Sequence, residues 1–181
     1  MAVLNPLDFP QPLILDIGAG EAENPGVVSV DAYVSADISA DMKNIPLPDD
    51  CVDYIYSSNA LEHVGKREVV PALKEWNRIP KPGGELYLLV PDLEWACQFW
   101  LKYQNTEWPM DIIFGNQNHA GEYHKTGFNP KILEEYFKEC GGWDIKEIAY
   151  SGGKEESTPI GNGRSKVEVE QRAIHLTAAK I

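Results

Sequence analysis

Leu13-Ile14-Leu15-Asp16-Ile17-Gly18-Ala19-Gly20 decides how the rest of this 181-residue chain is read. Its apolar run predicts a strand buried on both faces of a parallel sheet, ended by a turn on two glycines. Glycine has no Cβ and tolerates positive φ, so such a turn lets backbone N–H groups approach a ligand. In open α/β sheets ligands sit at the carboxyl ends of the strands, which is where this turn falls. The spacing is Asp-x-Gly-x-Gly. The dinucleotide pattern G-x-G-x-x-G needs a third glycine at position 23, and Glu23 stands there instead.

Outward from this strand, further strand signals fall at Val27–Val30, Tyr54–Ser58, Leu86–Val90, Asp144–Tyr150 and Ala173–Ala178. Helical spacing fills Lys66–Ile79, which ends before Pro80 and Pro82. A second helix starts at Asn129-Pro130, with Asn as cap and Pro at the first helical position, and stops at Gly141-Gly142. Strands alternating with helices predict an α/β fold, a doubly wound, mostly parallel, Rossmann-like sheet. Only Glu21–Gly26 separates the glycine turn from the second strand, and Pro25-Gly26 favours a turn there, so the first crossover reads as a loop. The last two strands are joined by Ser151–Val169, a polar stretch with no helix signal. That connection suits an antiparallel C-terminal hairpin with a long loop. The length suits one domain over 1–181.

Leu93–Tyr103 carries two aromatic-rich stripes at helical spacing, one through Leu93, Cys97, Trp100 and Leu101, the other through Trp95, Phe99 and Tyr103. One stripe should pack on the core; the other could stack on a sugar or flat ring or meet other protein, with packing preferred. Asp92 could face the acceptor or, the preferred role, cap the helix. The polar loop Gly115–Lys125 follows the fifth strand and should hang over the carboxyl edge of the sheet. Long loops of this kind are often functional, so 93–128 is read as a lid or acceptor segment.

Formal net charge is −12, and Lys66-Arg67 is the sole adjacent basic pair, so no nucleic-acid partner is expected. No apolar run is long enough to span a bilayer, and Met1–Pro12 lacks a charged start and an apolar core. Cys51, Cys97 and Cys140 are widely spaced and odd in number, which argues against a disulfide framework and for a reducing cytoplasm. The histidines show no metal-ligand spacing in sequence.

Several motifs then line up in order: Asp16-x-Gly18-x-Gly20; the acid ending Val27-Val28-Ser29-Val30-Asp31; Asp41-Met42; Ile45-Pro46-Leu47-Pro48-Asp49 before Val52–Ser57; Ala60-Leu61-Glu62-His63-Val64; and Arg78-Ile79-Pro80-Lys81-Pro82-Gly83-Gly84. Together they resemble class I S-adenosylmethionine-dependent methyltransferases, in particular small methyltransferase-domain families with an LEH motif and a K-P-G-G turn. The resemblance is close over about residues 12–92 and extends beyond by element order. It implies S-adenosylmethionine as cofactor. Gly18, Ala19 and Gly20 would wrap its methionine part, with Asp16 orienting the turn or meeting the amino group through water. Asp31 would accept from the ribose hydroxyls, and Asp41 from the adenine amino group with Met42 on the ring. Ser58 and Asn59 would lie under the sulfonium.

An oxygen acceptor or a protonated amine needs a general base. His63, His119, Glu122 and His124 are the candidates, with His124 first and His63 next as catalytic residues. His63 also reads as a structural histidine capping its turn. The expected function is methyl transfer to a small-molecule or saccharide acceptor. Two alternatives are a non-catalytic S-adenosylmethionine-binding module or partner subunit, and a nucleotide-dependent oxidoreductase, which the missing third glycine disfavours.

Overall fold

The computed structural model describes residues 3–22, 24–104, 107–152, 155–161, 164–169 and 172–181. The strands are β1 (Ile14–Ile17), β2 (Val28–Asp31), β3 (Ile38–Ser39), β4 (Val52–Ser58), β5 (Pro80–Pro91), β6 (Trp143–Ser151), β7 (Glu155–Gly161), β8 (Arg164–Val169) and β9 (Ala173–Lys180). The α-helices are α1 (Val69–Arg78), α2 (Leu93–Tyr103), α3 (Glu107–Phe114) and α4 (Pro130–Cys140). Short 3-10 turns cover Pro6–Asp8 and Leu61–His63.

Seven strands form one sheet in the order β3-β2-β1-β4-β5-β9-β6. β1 lies between β2 and β4, with Leu15 opposite Val28 on one side and Ile55 on the other, all in parallel. Chain order therefore reverses between β1 and β4, and the crevice beyond their carboxyl ends is the expected ligand position in such sheets. β9 runs antiparallel to both β5 and β6. The fold is thus the α/β, mostly parallel, Rossmann-like sheet with antiparallel C-terminal strands that the sequence predicts.

Burial follows the reading of β1 and β4 as central strands: Leu13, Leu15, Ile17 and Ile55 have no exposed surface. The expected helix over Lys66–Ile79 forms as α1, which starts three residues later, at Val69. It buries Val69, Ala72, Leu73 and Trp76. At its end Arg78 reaches sideways, donating to the carbonyls of Ile45 and Leu47 at 3.0 and 2.8 Å and pairing with Asp49 and Glu75. That contact fastens the Ile45–Asp49 loop to the helix. α4 begins as expected, the Asn129 side chain accepting from Ile132 N at 2.9 Å with Pro130 behind it.

Some expectations change. The helix-free connection from β1 to β2 is as expected, but β2, β3 and β4 are also joined without an α-helix among the described residues, and the alternation of strands and helices holds only from β4 to β6. These connections are rich in Pro, Gly and Asp, which favour turns over helix. Ser151–Val169 is not a plain loop: β7 and β8 pair antiparallel within it as a separate two-stranded unit. Alternating polar residues there, with few core-sized apolar ones, give no burial signal to read. In α2 it is Trp95, Ala96 and Phe99 that are buried, packed with Ile112 of α3, while Trp100 and Leu101 of the other stripe face solvent. Asp92 caps α2, accepting from Trp95 N at 3.2 Å. Of the 93–128 segment, Asn105 and Thr106 lie outside the described residues.

Candidate active site

The glycine turn packs tightly against the loop that follows β4. Gly18 has φ of +75° and donates to Val30 O at 2.8 Å. A Cβ at Gly18 would sit 2.3 Å from the Cβ of Ala60, so no other residue fits without displacing that loop. Gly20 also has positive φ, but the space where its Cβ would stand is open. Its N–H donates to Asp31 Oδ2 at 3.0 Å. Asp31 Oδ1 accepts from Tyr33 N at 2.7 Å and Val34 N at 3.3 Å. One carboxylate at the end of β2 thus ties both loops at the crevice.

A cavity of about 230 Å³ opens here. Of the residues assigned to the cofactor from sequence, Gly18, Gly20, Asp31, Asp41, Met42 and Asn59 line it. Asp16, Ala19 and Ser58 do not line it. Asp16 is buried behind the turn, 3.4 Å from Asn24 Nδ2, and its burial pushes its carboxyl pKa up. Ser58 Oγ instead accepts from the Asn59 side chain at 3.2 Å. At the far end of the cavity Asp41 accepts from Lys43 N at 2.9 Å. Lys43 Nζ pairs with Glu68, which lowers the pKa of that carboxyl and raises that of the ammonium. The buried Trp76 indole donates to Met42 O at 3.0 Å, so α1 positions the Asp41–Lys43 corner. Tyr33, Lys43, Glu68 and Lys125 also line the cavity and were missed from sequence. Their short polar surroundings carry no periodic signal, and only the fold gathers them.

Beyond Asn59 a second cavity, about 390 Å³, shares Asn59, His63 and Glu122 with the first and adds Glu62, Pro91, Asp111 and His124. The 115–125 segment reaches this place, as expected, and it is fastened there. Lys125 N and Thr126 N donate to Glu62 O at 2.8 and 3.1 Å, and Thr126 Oγ1 donates to Val64 O at 2.8 Å. At its other end Gly121 packs on the Tyr33 ring so closely that a Cβ would meet it at 2.8 Å. His119 Nε2 lies 3.5 Å from Glu122 Oε1, within the segment itself.

The two histidines favoured from sequence come together: His63 and His124 rings stand 4.9 Å apart, centre to centre. His124 Nδ1 is 2.8 Å from Ile112 O, which makes Nδ1–H the donor and leaves Nε2 as an acceptor. That Nε2 lies 3.9 Å from Glu62 Oε1. His63 has backbone carbonyls at both ring nitrogens, Tyr123 O at 3.2 Å from Nδ1 and Asn59 O at 3.1 Å from Nε2. It therefore bridges the post-β4 turn and the 115–125 segment. Burial lowers the pKa of both imidazoles. Glu62 is 1% exposed, and neither of its carboxylate oxygens has a hydrogen-bond partner. Burial pushes its pKa up to about 8.

Residues 21–88 match a family model described as a methyltransferase domain. The match spans Asp31, Asp41, Asn59, Glu62 and His63, beginning after the glycine turn and ending before His124. No curated protein sequence matches the chain. Among solved structures, an S-adenosylmethionine-dependent methyltransferase from Methanosarcina mazei superposes with a TM-score of 0.64 at 19% identity, covering 99% of each chain. One from Archaeoglobus fulgidus gives 0.58 at 14% identity, over 96% of this chain and 89% of that one. A structure reported for the conversion of a disulfide bond into a thioacetal group during echinomycin biosynthesis gives 0.61 at 16% identity, over 94% of this chain and 75% of that one. The fold is that of the S-adenosylmethionine-dependent methyltransferases. In this methyltransferase fold, the first cavity lies at the carboxyl ends of β1, β2 and β4 and the second at those of β4 and β5, the side on which open α/β sheets bind ligands.

Proposed function

We propose that the chain is an S-adenosylmethionine-dependent methyltransferase whose acceptor, a small molecule or saccharide, sits in the cavity under the 115–125 segment. The observation that carries this reading is the adjoining pair of cavities, which share Asn59, His63 and Glu122. The first cavity suits the cofactor. Gly20 leaves open space where a side chain would stand, and Asp31 and Asp41 present carboxylates at separate points along its wall. A carboxylate offers about four acceptor positions, so Asp31, with three backbone N–H donors, keeps capacity for a ribose hydroxyl. Gly18 and Gly20 would hold the methionine part, Asp41 and Met42 the adenine, and Asn59 the region of the sulfonium. When bound, S-adenosylmethionine supplies a methyl group activated by a positive sulfur.

The protein's own part is alignment and exclusion of water. Well-oriented reactants reach effective molarities of about 10⁵–10⁸ M, so positioning alone could supply much of the acceleration. The anchored 115–125 segment closes the acceptor side. His124, held neutral by burial and oriented through Nδ1–H, turns its Nε2 into the second cavity, where it engages the acceptor or takes its proton. His63, between the cavities, is the second residue in that role. Net charge of −12 disfavours a nucleic-acid acceptor. Among the described residues no helix is long and apolar enough to cross a membrane. The cysteines are free, in keeping with a cytoplasmic setting.

Calorimetric titration with S-adenosylmethionine, S-adenosylhomocysteine and NADH tests the reading. Binding of the first two and not the third is expected. Binding of NADH alone would make the protein an oxidoreductase on a related fold. Cofactor binding without consumption across an acceptor screen of sugars and small phenols would make it a binding module. His124→Ala should lower turnover with cofactor affinity intact; loss of cofactor affinity would put His124 in the wrong cavity.

A further inference from the structure

Glu62 is the least ordinary residue of the site. An ionisable side chain sealed from water without a partner is costly, and native proteins seldom keep one. Here both oxygens of a 1%-exposed carboxyl are unpartnered, and they face two imidazoles. One ligand atom each from Glu62, His63 and His124 lies within 4.8 Å of the others. Metal–ligand bonds of about 2.0–2.2 Å place such atoms roughly 3.0–3.5 Å apart, so modest side-chain rotations close the set. His124 is already arranged as metal-binding histidines are: its Nδ1–H is fixed on a backbone carbonyl, Ile112 O, and its free Nε2 stands 3.9 Å from Glu62 Oε1. His63 is under-satisfied in a complementary way. A neutral imidazole has one N–H, yet carbonyl oxygens stand at both of its nitrogens. The nitrogen without a hydrogen therefore holds its lone pair against a carbonyl oxygen, and turning that lone pair onto a cation would relieve the contact.

We propose that Glu62, His63 and His124 bind one divalent transition-metal ion, of the zinc class, with an open coordination position toward the second cavity. Two imidazoles and one carboxylate are a borderline donor set that suits zinc or a neighbouring transition metal better than magnesium, which prefers oxygen. Three protein ligands leave a fourth position for water or an incoming oxygen. In naming that oxygen as an acceptor hydroxyl, the inference rests on the second cavity being the acceptor site. It narrows the acceptor to an oxygen nucleophile, whose hydroxyl a bound cation would make more acidic. The two histidines then act on the acceptor through the ion. Sequence spacing hides the set, since His124 lies 61 positions after His63. The turn at Leu61–His63 and the hydrogen bonds of Lys125 and Thr126 to Glu62 O bring them together.

The test uses the full chain freed of metal by a chelator and titrated calorimetrically with Zn²⁺ in the absence of cofactor. The wild type should bind one Zn²⁺ per chain. Glu62→Gln and His124→Ala should each weaken binding at least about tenfold, whereas His119→Ala should bind as the wild type does. Absence of saturable binding, or equal affinity in Glu62→Gln and His124→Ala, would overturn the proposal. Should those variants fail to fold, Co²⁺ substitution in the wild type decides. Visible bands of a low-symmetry site without a thiolate charge-transfer band support it, and a thiolate band or the spectrum of hydrated cobalt overturns it. S-adenosylmethionine titration of the metal-free protein is read separately, so loss of the cofactor reading and loss of the metal site give different results.

Discussion

Asp31 shows how one side chain in this protein serves structure and ligand together. Its carboxylate holds Gly20 N, Tyr33 N and Val34 N, so it builds the mouth of the cavity before any ribose is present. Asp31→Ala should therefore weaken S-adenosylmethionine binding by about 1–3 kcal/mol and also lower unfolding stability, because three backbone donors lose their acceptor. Calorimetry and urea unfolding on the same variant check both. An unchanged affinity would remove Asp31 from the ligand site, and an unchanged stability would make its backbone contacts incidental. The acid at the end of a strand, the two glycines and His63 were legible in the chain, since each rests on local chemistry; Glu62 read as a structural hydrogen-bond partner, yet its carboxylate has none. The sealing of Glu62 was not legible. It depends on Lys125 and Thr126 folding back onto that turn, and nothing in the local sequence encodes so distant a contact.

At the scale of elements, α2 is oriented by Asp92. That residue is fully buried, caps the helix through Trp95 N, and meets the guanidinium of Arg172, Nε to Oδ2 at 2.6 Å. The cap links α2 to the approach to β9, and the adjoining Leu93 N–Phe128 O bond of 2.9 Å links it to the stretch that follows the 115–125 segment. Asp92→Asn keeps a capping oxygen and loses the charge; Asp92→Ala loses both. Loss of the cap alone is worth about 0.5–2 kcal/mol. The charge contributes less than the ~3–5 kcal/mol of a wholly buried pair, because the Arg172 side chain is 27% exposed. Urea unfolding should rank wild type above Asn and Asn above Ala; equal Asn and Ala values would mean that the cap contributes nothing. The cap itself was readable, as an acid directly before a helical stripe. Which stripe faces inward was not, because both are apolar and only the position of α3 decides between them.

For the molecule as a whole, β9 and the β7–β8 pair behave oppositely. β9 is hydrogen-bonded along both edges, to β5 and β6, with Ile174 and Leu176 fully buried. Among the described residues, β7 and β8 pair only with each other. Replacing residues 153–171 by a short Gly-Ser turn should leave cooperative unfolding and S-adenosylmethionine affinity close to wild type, whereas deleting 173–181 should abolish cooperative unfolding. Circular dichroism melts and calorimetry check this, and collapse of the first variant would show that the arm supports the sheet. The sequence by itself determined the parallel sheet, the glycine turn, the strand-end acids and the caps. Apolar runs, glycine φ freedom and capping side chains act over a few residues and are written locally. Only the tertiary structure decided that Asp16 lies behind the turn rather than in the cavity, and that Glu62, His63 and His124 converge. Burial and convergence are properties of packing between segments far apart in the chain, His63 and His124 being 61 positions apart, and local pattern does not record them.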